Sequence, residues 1–216
     1  MFTGIIVELG EVYDIKKLGN SAKLNILSEK VIKDASIGDS ISVNGVCLTV
    51  TEIERKRGII SFDVSNETLQ KTTTGELKKS SPVNLEPALT LNTRIGGHLV
   101  SGHVEGIGKI RNIDTIGDYL KIEIEAPQEI LKYCIKKGSI AIDGISLTIV
   151  EVFSDAFNVV IIPHTAKMTT VGYKKVGDSV NLEPDLIAKY VEKFLSYREQ
   201  TADEKIMAKL KKHGFI

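Results

Sequence analysis

Ser40–Val50 reads SISVNGVCLTV, and Ser139–Ile149 reads SIAIDGISLTI. Each is an alternating apolar stretch interrupted at its centre by Asn44-Gly45 or Asp143-Gly144, dipeptides that adopt the positive φ of a tight turn or sharp bend. The same segment therefore occurs twice, and the echo runs outward from it. MFTGII at Met1–Ile6 answers LVSGHV at Leu99–Val104, and NLEPAL at Asn84–Leu89 answers NLEPDL at Asn181–Leu186. The matched residues lie 98, 99 and 97 positions apart, so single-residue gaps suffice. A period this long marks a duplicated domain and not a solenoid, whose units run about 20 to 50 residues.

A chain of 216 residues suits two domains of about 100 residues each. Basic and acidic residues balance at 28 each and are scattered along both copies, so there is no basic field for a phosphate backbone and no nucleic-acid partner is expected. The chain leads from Met1 directly into FTGIIVELG, with no basic and apolar leader and no apolar run of about 20 residues. No membrane association and a cytoplasmic location are expected. Cys47 and Cys134 occupy non-equivalent places in the repeat, which argues against a structural disulfide or zinc.

Within each copy, alternation and turn residues predict five or six strands: GIIVELGEVYDI, AKLNIL, SISVNGVCLTVTEI, GIISFDV and PVNLE, then HVEGIGKIRNI, YLKIEIEA, SIAIDGISLTIVEV, FNVVII and SVNLE. A small antiparallel barrel is the expected unit, because closure removes exposed edges. Short helices are predicted at Val31–Ala35 and Pro127–Ile135. Leu91–Gly97, LNTRIGG, reads as a linker. The domains are read as 1–97, 98–185 and a C-terminal segment 186–216. That segment opens with Leu186, Ile187, Tyr190, Val191, Phe194 and Leu195 at the spacing of one helical stripe, predicting a helix over Asp185–Tyr197. The stripe can pack on its own domain or on copies of itself. The tail from Thr201 reads as a frayed, solvated helix.

The informative positions are those where the copies differ. Cys47 faces Ser146, Ile5 faces His103, Glu67 faces His164 and Asn44 faces Asp143. Cys47 alone reads as a small buried hydrophobe, or beside a ligand as a nucleophile or proton carrier. His103, after Ser101-Gly102, is a candidate general base near neutral pH. His98 and His103 lie five residues apart, which on an extended strand sends them to opposite faces, so no metal is expected. Thr49, Ser146 and Thr148 supply hydroxyls suited to a polar heterocycle, although threonine is common in strands for its propensity alone. Lys137 is a loop charge or a donor to a sugar-alcohol chain or phosphate.

Taken together, MFTGII, Ser40 with NGVCLTV, GGH at Gly96–His98, SGH at Ser101–His103, KGS at Lys137–Ser139 and DGISLT at Asp143–Thr148 resemble the riboflavin synthase alpha-chain family over nearly the whole chain, up to about residue 198. The resemblance implies a mainly β fold: two tandem six-stranded antiparallel Greek-key barrels plus a C-terminal α-helix through which subunits form a homotrimer. It implies dismutation of two molecules of 6,7-dimethyl-8-ribityllumazine per site to riboflavin and 5-amino-6-ribitylaminouracil, with no metal or redox cofactor. Sites would lie between the N-terminal barrel of one subunit and the C-terminal barrel of its neighbour, and lumazine synthase is a candidate associate.

Carried over residue by residue, the N-terminal site would use Gly4, Ile5 and Ile6, then Cys47, Leu48 and Thr49, then Asp63, Val64, Ser65, Asn66, Glu67 and Thr68. The C-terminal site would use Gly102, His103 and Val104, Lys137, then Ser146, Leu147 and Thr148, then Val160, Ile161, Ile162, Pro163, His164 and Thr165. Catalytic roles would fall to His103, Cys47, Ser40, Ser146 and Thr148. The alternative is a non-catalytic lumazine- or flavin-binding antenna protein of the same fold. A reductase-type flavin barrel is a third class, disfavoured because the chain has no glycine motif for a nicotinamide domain.

Overall fold

The computed structural model describes residues 1–196, and in it each copy of the repeat closes into a six-stranded antiparallel barrel. The first comprises β1 (Glu8–Leu18), β2 (Ser21–Leu27), β3 (Ser40–Val43), β4 (Val46–Glu54), β5 (Ile59–Ser65) and β6 (Pro82–Pro87), in the cyclic order β1-β2-β5-β4-β3-β6. The second comprises β7 (Gly106–Ile116), β8 (Tyr119–Glu125), β9 (Ser139–Ile142), β10 (Ile145–Val152), β11 (Ala156–Ile161) and β12 (Ser179–Pro184). Its cyclic order, β7-β8-β11-β10-β9-β12, repeats the first strand for strand.

The stretch that defines the repeat is a hairpin in each barrel, β3 to β4 and β9 to β10. Asn44 (φ 47), Gly45 (φ 81), Asp143 (φ 45) and Gly144 (φ 79) are all left-handed, the two-residue turn whose twist matches that of its strands. Leu48 and Val50 point inward to a core with Leu24, Ile26 and Phe62, and Phe157 occupies the equivalent centre of the second barrel with Ile122, Ile124 and Ile149. Each such buried side chain contributes about 1.5–3 kcal/mol.

The helices depart from the sequence reading. The segment at Val31–Asp34 (α1) forms as expected. Pro127–Ile135 is helical only over Gln128–Leu131 (α3), where Ile130 and Leu131 are buried; a turn follows, after which Cys134 is buried and Ile135 is 67% exposed. Asn66–Lys71 (α2) and Pro163–Met168 (α4) were not foreseen, because six residues directly after a strand carry no apolar period.

The barrels meet at a seam built by matched residues. Asn84 donates from Nδ2 to Asp143 O and Thr170 Oγ1, both at 2.9 Å, and accepts from Thr170 N at 2.7 Å. Asn181 mirrors it, donating from Nδ2 to Asn44 O and accepting from Thr73 N, both at 2.8 Å. Both asparagines are fully buried, so each barrel satisfies a polar group that the other would leave unpaired. Phe2, Val100 and Ala141 form a small third core, with Cys47 and Ala88 packed against it.

The chain divides into two units after Asp185. The second unit opens with a helix over residues 186–196 (α5), on which Ile187, Tyr190, Val191, Phe194 and Leu195 are each more than half exposed. Tyr197, where the predicted helix ends, and the predicted tail helix from Thr201 lie outside the described residues. Among the described residues no helix is long and apolar enough to cross a membrane.

Candidate functional site

Of the candidate residues, Leu48, Val64 and Ile161 belong to the barrel cores, and Ile6, Val104 and Leu147 pack against them, so these serve packing first. The polar candidates lie on the outer walls instead. Along β4, Leu48 and Val50 are buried while Cys47 is half-buried and Thr49 exposed. Ser40 sits across the ladder from Thr49 and Ser42 from Cys47. The second barrel sets Ser139 across from Thr148 and Ala141 across from Ser146. Asp63, Val64 and Ser65 close β5, and Asn66, Glu67 and Thr68 open α2, whose first turn is capped by Ser65 Oγ accepting from Thr68 N at 3.1 Å. Val160 and Ile162 are exposed, Ile161 is buried, and Pro163, His164 and Thr165 open α4. Glu67 pairs with Lys71 of its own helix at 2.8 Å, and this lysine lowers its pKa.

The structure regroups two of the expected segments. Sequence reading sets Gly4, Ile5 and Ile6 beside Cys47, and Gly102, His103 and Val104 beside Ser146. Instead Ser146 N donates to Gly4 O, and Cys47 N to Gly102 O, each at 2.8 Å. The cause is an antiparallel pairing of the two leading segments. Phe2 N donates to Val100 O at 2.7 Å, Val100 N to Phe2 O and His98 N to Thr3 O, both at 3.1 Å. The segments run past one another, and each ends on the other copy's hairpin. Glycine is required at both landings, where φ is 75 and 82; a Cβ would stand 2.5 Å from Ser146 Cβ or 2.6 Å from Cys47 Cβ. Each wall is thus assembled from both copies: the turn carrying His103 lies on the Cys47 strand, and the turn carrying Ile5 on the Ser146 strand.

His98, read in the sequence as a disfavoured metal ligand and as the end of the GGH motif, joins the candidate site although it is not among the residues expected there. Its Nδ1 lies 2.7 Å from Ser146 Oγ, and its ring is buried with no hydrogen-bond partner for Nε2 among the described residues. Burial lowers the imidazole pKa, against the opposing charge of Asp185. A neutral ring can accept a hydrogen bond from the serine hydroxyl and fix its direction. The signal available in the sequence was Gly97, where a Cβ would stand 2.6 Å from Ser146 Cβ. His103, by contrast, is exposed.

Lys137 adopts φ 69 where its counterpart Gly38 adopts φ 93. Both amides close the same bond, to Ile149 O at 2.8 Å and Val50 O at 2.9 Å. A lysine there costs about 1–2 kcal/mol of backbone strain, and strain of this kind gathers where a side chain has work beyond stability. Of the two thiols, Cys134 is buried in the second core, which pushes its pKa up to about 11; Cys47 is partly open.

Comparison with known proteins identifies the repeated domain. The lumazine binding domain model matches twice, over residues 3–88 and 101–185. Riboflavin synthase of Actinobacillus pleuropneumoniae is 48% identical over 204 residues, covering 94% of this chain and 93% of that protein. Riboflavin synthase of Bacillus subtilis (strain 168) is 39% identical over 217 residues and the full length of both. Among solved structures, LumP complexed with riboflavin superimposes with a TM-score of 0.79 at 27% identity, covering 85% of this chain and 99% of that one. LumP complexed with 6,7-dimethyl-8-(1'-D-ribityl) lumazine gives a TM-score of 0.76, covering 85% and 98%. Two lumazine binding domains in tandem define the class. The chain belongs to the riboflavin synthase family, and it is an enzyme, a transferase.

Proposed function

We propose that the chain catalyses the dismutation of two molecules of 6,7-dimethyl-8-ribityllumazine, one giving a four-carbon unit to the other, to yield riboflavin and 5-amino-6-ribitylaminouracil. The observation that carries this reading is the pair of crossed outer walls, alike in build and unlike at Cys47 against Ser146 and Ile5 against His103. Two like surfaces suit two identical molecules, and the differences suit unequal donor and acceptor roles. One wall would hold its ligand with Cys47, Thr49, Asp63 and the Gly102–Val104 turn. The other would use Lys137, Ser146, Thr148, Val160, Ile162 and the Gly4–Ile6 turn.

In this reading Cys47 with Ser40 assists addition or proton transfer on the molecule held by their own wall, and His103, exposed on the turn that lands there, takes a proton from the acidic C7 methyl group of the molecule facing it. Ser146 and Thr148 hydrogen-bond the second ring. Face-to-face alignment of two reactants removes roughly 7 to 11 kcal/mol from a barrier, so most of the rate is assigned to placement. The exposed apolar face of α5 supports a homotrimer in which the N-terminal wall of one subunit faces the C-terminal wall of the next. Domains of 1–97, 98–185 and 186–216, a cytoplasmic location and lumazine synthase as a candidate associate belong to the same proposal.

The test is to mix purified protein with the lumazine, without metal or nicotinamide, and follow riboflavin. Catalytic accumulation is expected. Stoichiometric fluorescence without product would indicate an antenna protein, and dependence on a nicotinamide a reductase.

A further inference from the structure

The two landing turns are each held by one buried carboxylate. Glu86, on β6, accepts from Thr3 N at 2.7 Å and Thr3 Oγ1 at 2.6 Å through Oε1, and from Gly4 N at 3.0 Å through Oε2. Glu183, on β12, accepts from Ser101 N at 2.6 Å and Ser101 Oγ at 2.8 Å through Oε1, and from Gly102 N at 3.0 Å through Oε2. The hydroxyls pass the constraint one residue further: Ile5 N donates to Thr3 Oγ1 at 3.2 Å and His103 N to Ser101 Oγ at 3.1 Å. Both glutamates are nearly inaccessible to solvent. Burial pushes both pKa values up while these bonds pull them back. Each of these contacts presents a donor to the carboxylate, so an amide in its place would set N–H against N–H.

Each carboxylate belongs to one barrel, but the turn it holds ends on the hairpin of the other. We propose that Glu86 and Glu183 are positioning residues with crossed control: Glu86, in the first barrel, sets the Gly4 turn against Ser146, and Glu183, in the second, sets the Gly102 turn and His103 against Cys47. The NLEP repeats are then working parts of the two walls, each acting on the wall opposite. For its catalytic consequence this rests on the proposed reaction; for its geometry it does not.

Cys47 is the reporter. It lies under Gly102 and is partly open, whereas Cys134 is buried in the core. Full-length wild-type, Glu86→Gln, Glu183→Gln, Thr3→Val and Ser101→Ala proteins are labelled with iodoacetamide, and the rate at the Cys47 peptide is read by mass spectrometry. Turnover on the lumazine is measured in parallel. Glu183→Gln should label Cys47 about tenfold faster than wild type, the scale of one lost hydrogen bond to a charged group. Glu86→Gln should stay within about twofold while losing turnover through the Ser146 wall. If Glu183→Gln does not fold, Ser101→Ala against Thr3→Val carries the same comparison. Equal acceleration in both glutamine variants, or none in Glu183→Gln, overturns the proposal. Wild-type protein that forms no riboflavin would remove the reaction and leave the labelling result standing.

Discussion

Gly45 and Gly144 lie back to back, such that a Cβ built on either would stand 2.7 Å from the other's backbone nitrogen. Both have positive φ. Two requirements, a left-handed turn and a barrel seam with no room for a methyl group, thus fall on one residue in each copy. Gly45→Ala or Gly144→Ala should each destabilise the protein by at least ~2 kcal/mol, above the ~1–2 kcal/mol that a left-handed L-residue costs alone. Denaturant unfolding measures it, and a change below that cost would show that the seam yields.

Lys137 gives the opposite expectation. Lys137→Gly removes left-handed strain and should leave stability unchanged or raise it by up to ~1 kcal/mol. If the side chain holds the ligand, KM for the lumazine should rise about tenfold. Thermal unfolding and steady-state kinetics on the same preparation separate the two effects.

His103→Gln should lower kcat about 100-fold with KM little changed, as for loss of a general base. Cys47→Ser should lower turnover as well. Near wild-type turnover in both variants would refute the chemical roles while leaving the family unaffected.

Protonation of His98 links stability to pH. Its folded pKa lies below the ordinary value of 6.5 because of burial, so the unfolded chain binds the proton more readily. Stability therefore rises with pH across this window, and is lost as pH falls below about 6.5. His98→Asn, which keeps a polar atom near the Nδ1 position, should flatten that loss relative to wild type. Urea unfolding at a series of pH values from neutral downward tests the sign.

In the proposed homotrimer, removing everything after Asp185 should give monomers, since it takes away the exposed apolar side chains of Ile187, Tyr190, Val191, Phe194 and Leu195. Sedimentation of the shortened and full chains reads the outcome; an unchanged assembly would place the contact elsewhere.

Much of the fold was legible because the information is local. Alternation in SISVNGVCLTV fixes which side chains enter the barrel, and the repeat supplies an independent second copy. The crossing of Gly4 to Ser146 and Gly102 to Cys47 was not legible. It depends on Phe2 pairing with Val100, a contact between residues 98 apart in the chain that no local pattern encodes. The short helices α2 and α4 escaped for the opposite reason: they are set by a cap or a proline following a strand and show no period. Of the candidate site, the partners of the named residues were not readable, as His98 beside Ser146 illustrates.

The reciprocal clamps of Asn84 and Asn181 carry a consequence for symmetry. The groups that receive Asn181, Thr73 and Asn44, belong to the same copy as Asn84, so a single half bears both the plug and its socket. A protein of half the length with this plug and socket would be complementary to itself about a true two-fold axis. Joined in one chain, the two faces are free to differ, and Asp143 with Lys174 at 3.2 Å, where the other half has Asn44 and Leu77, is such a difference.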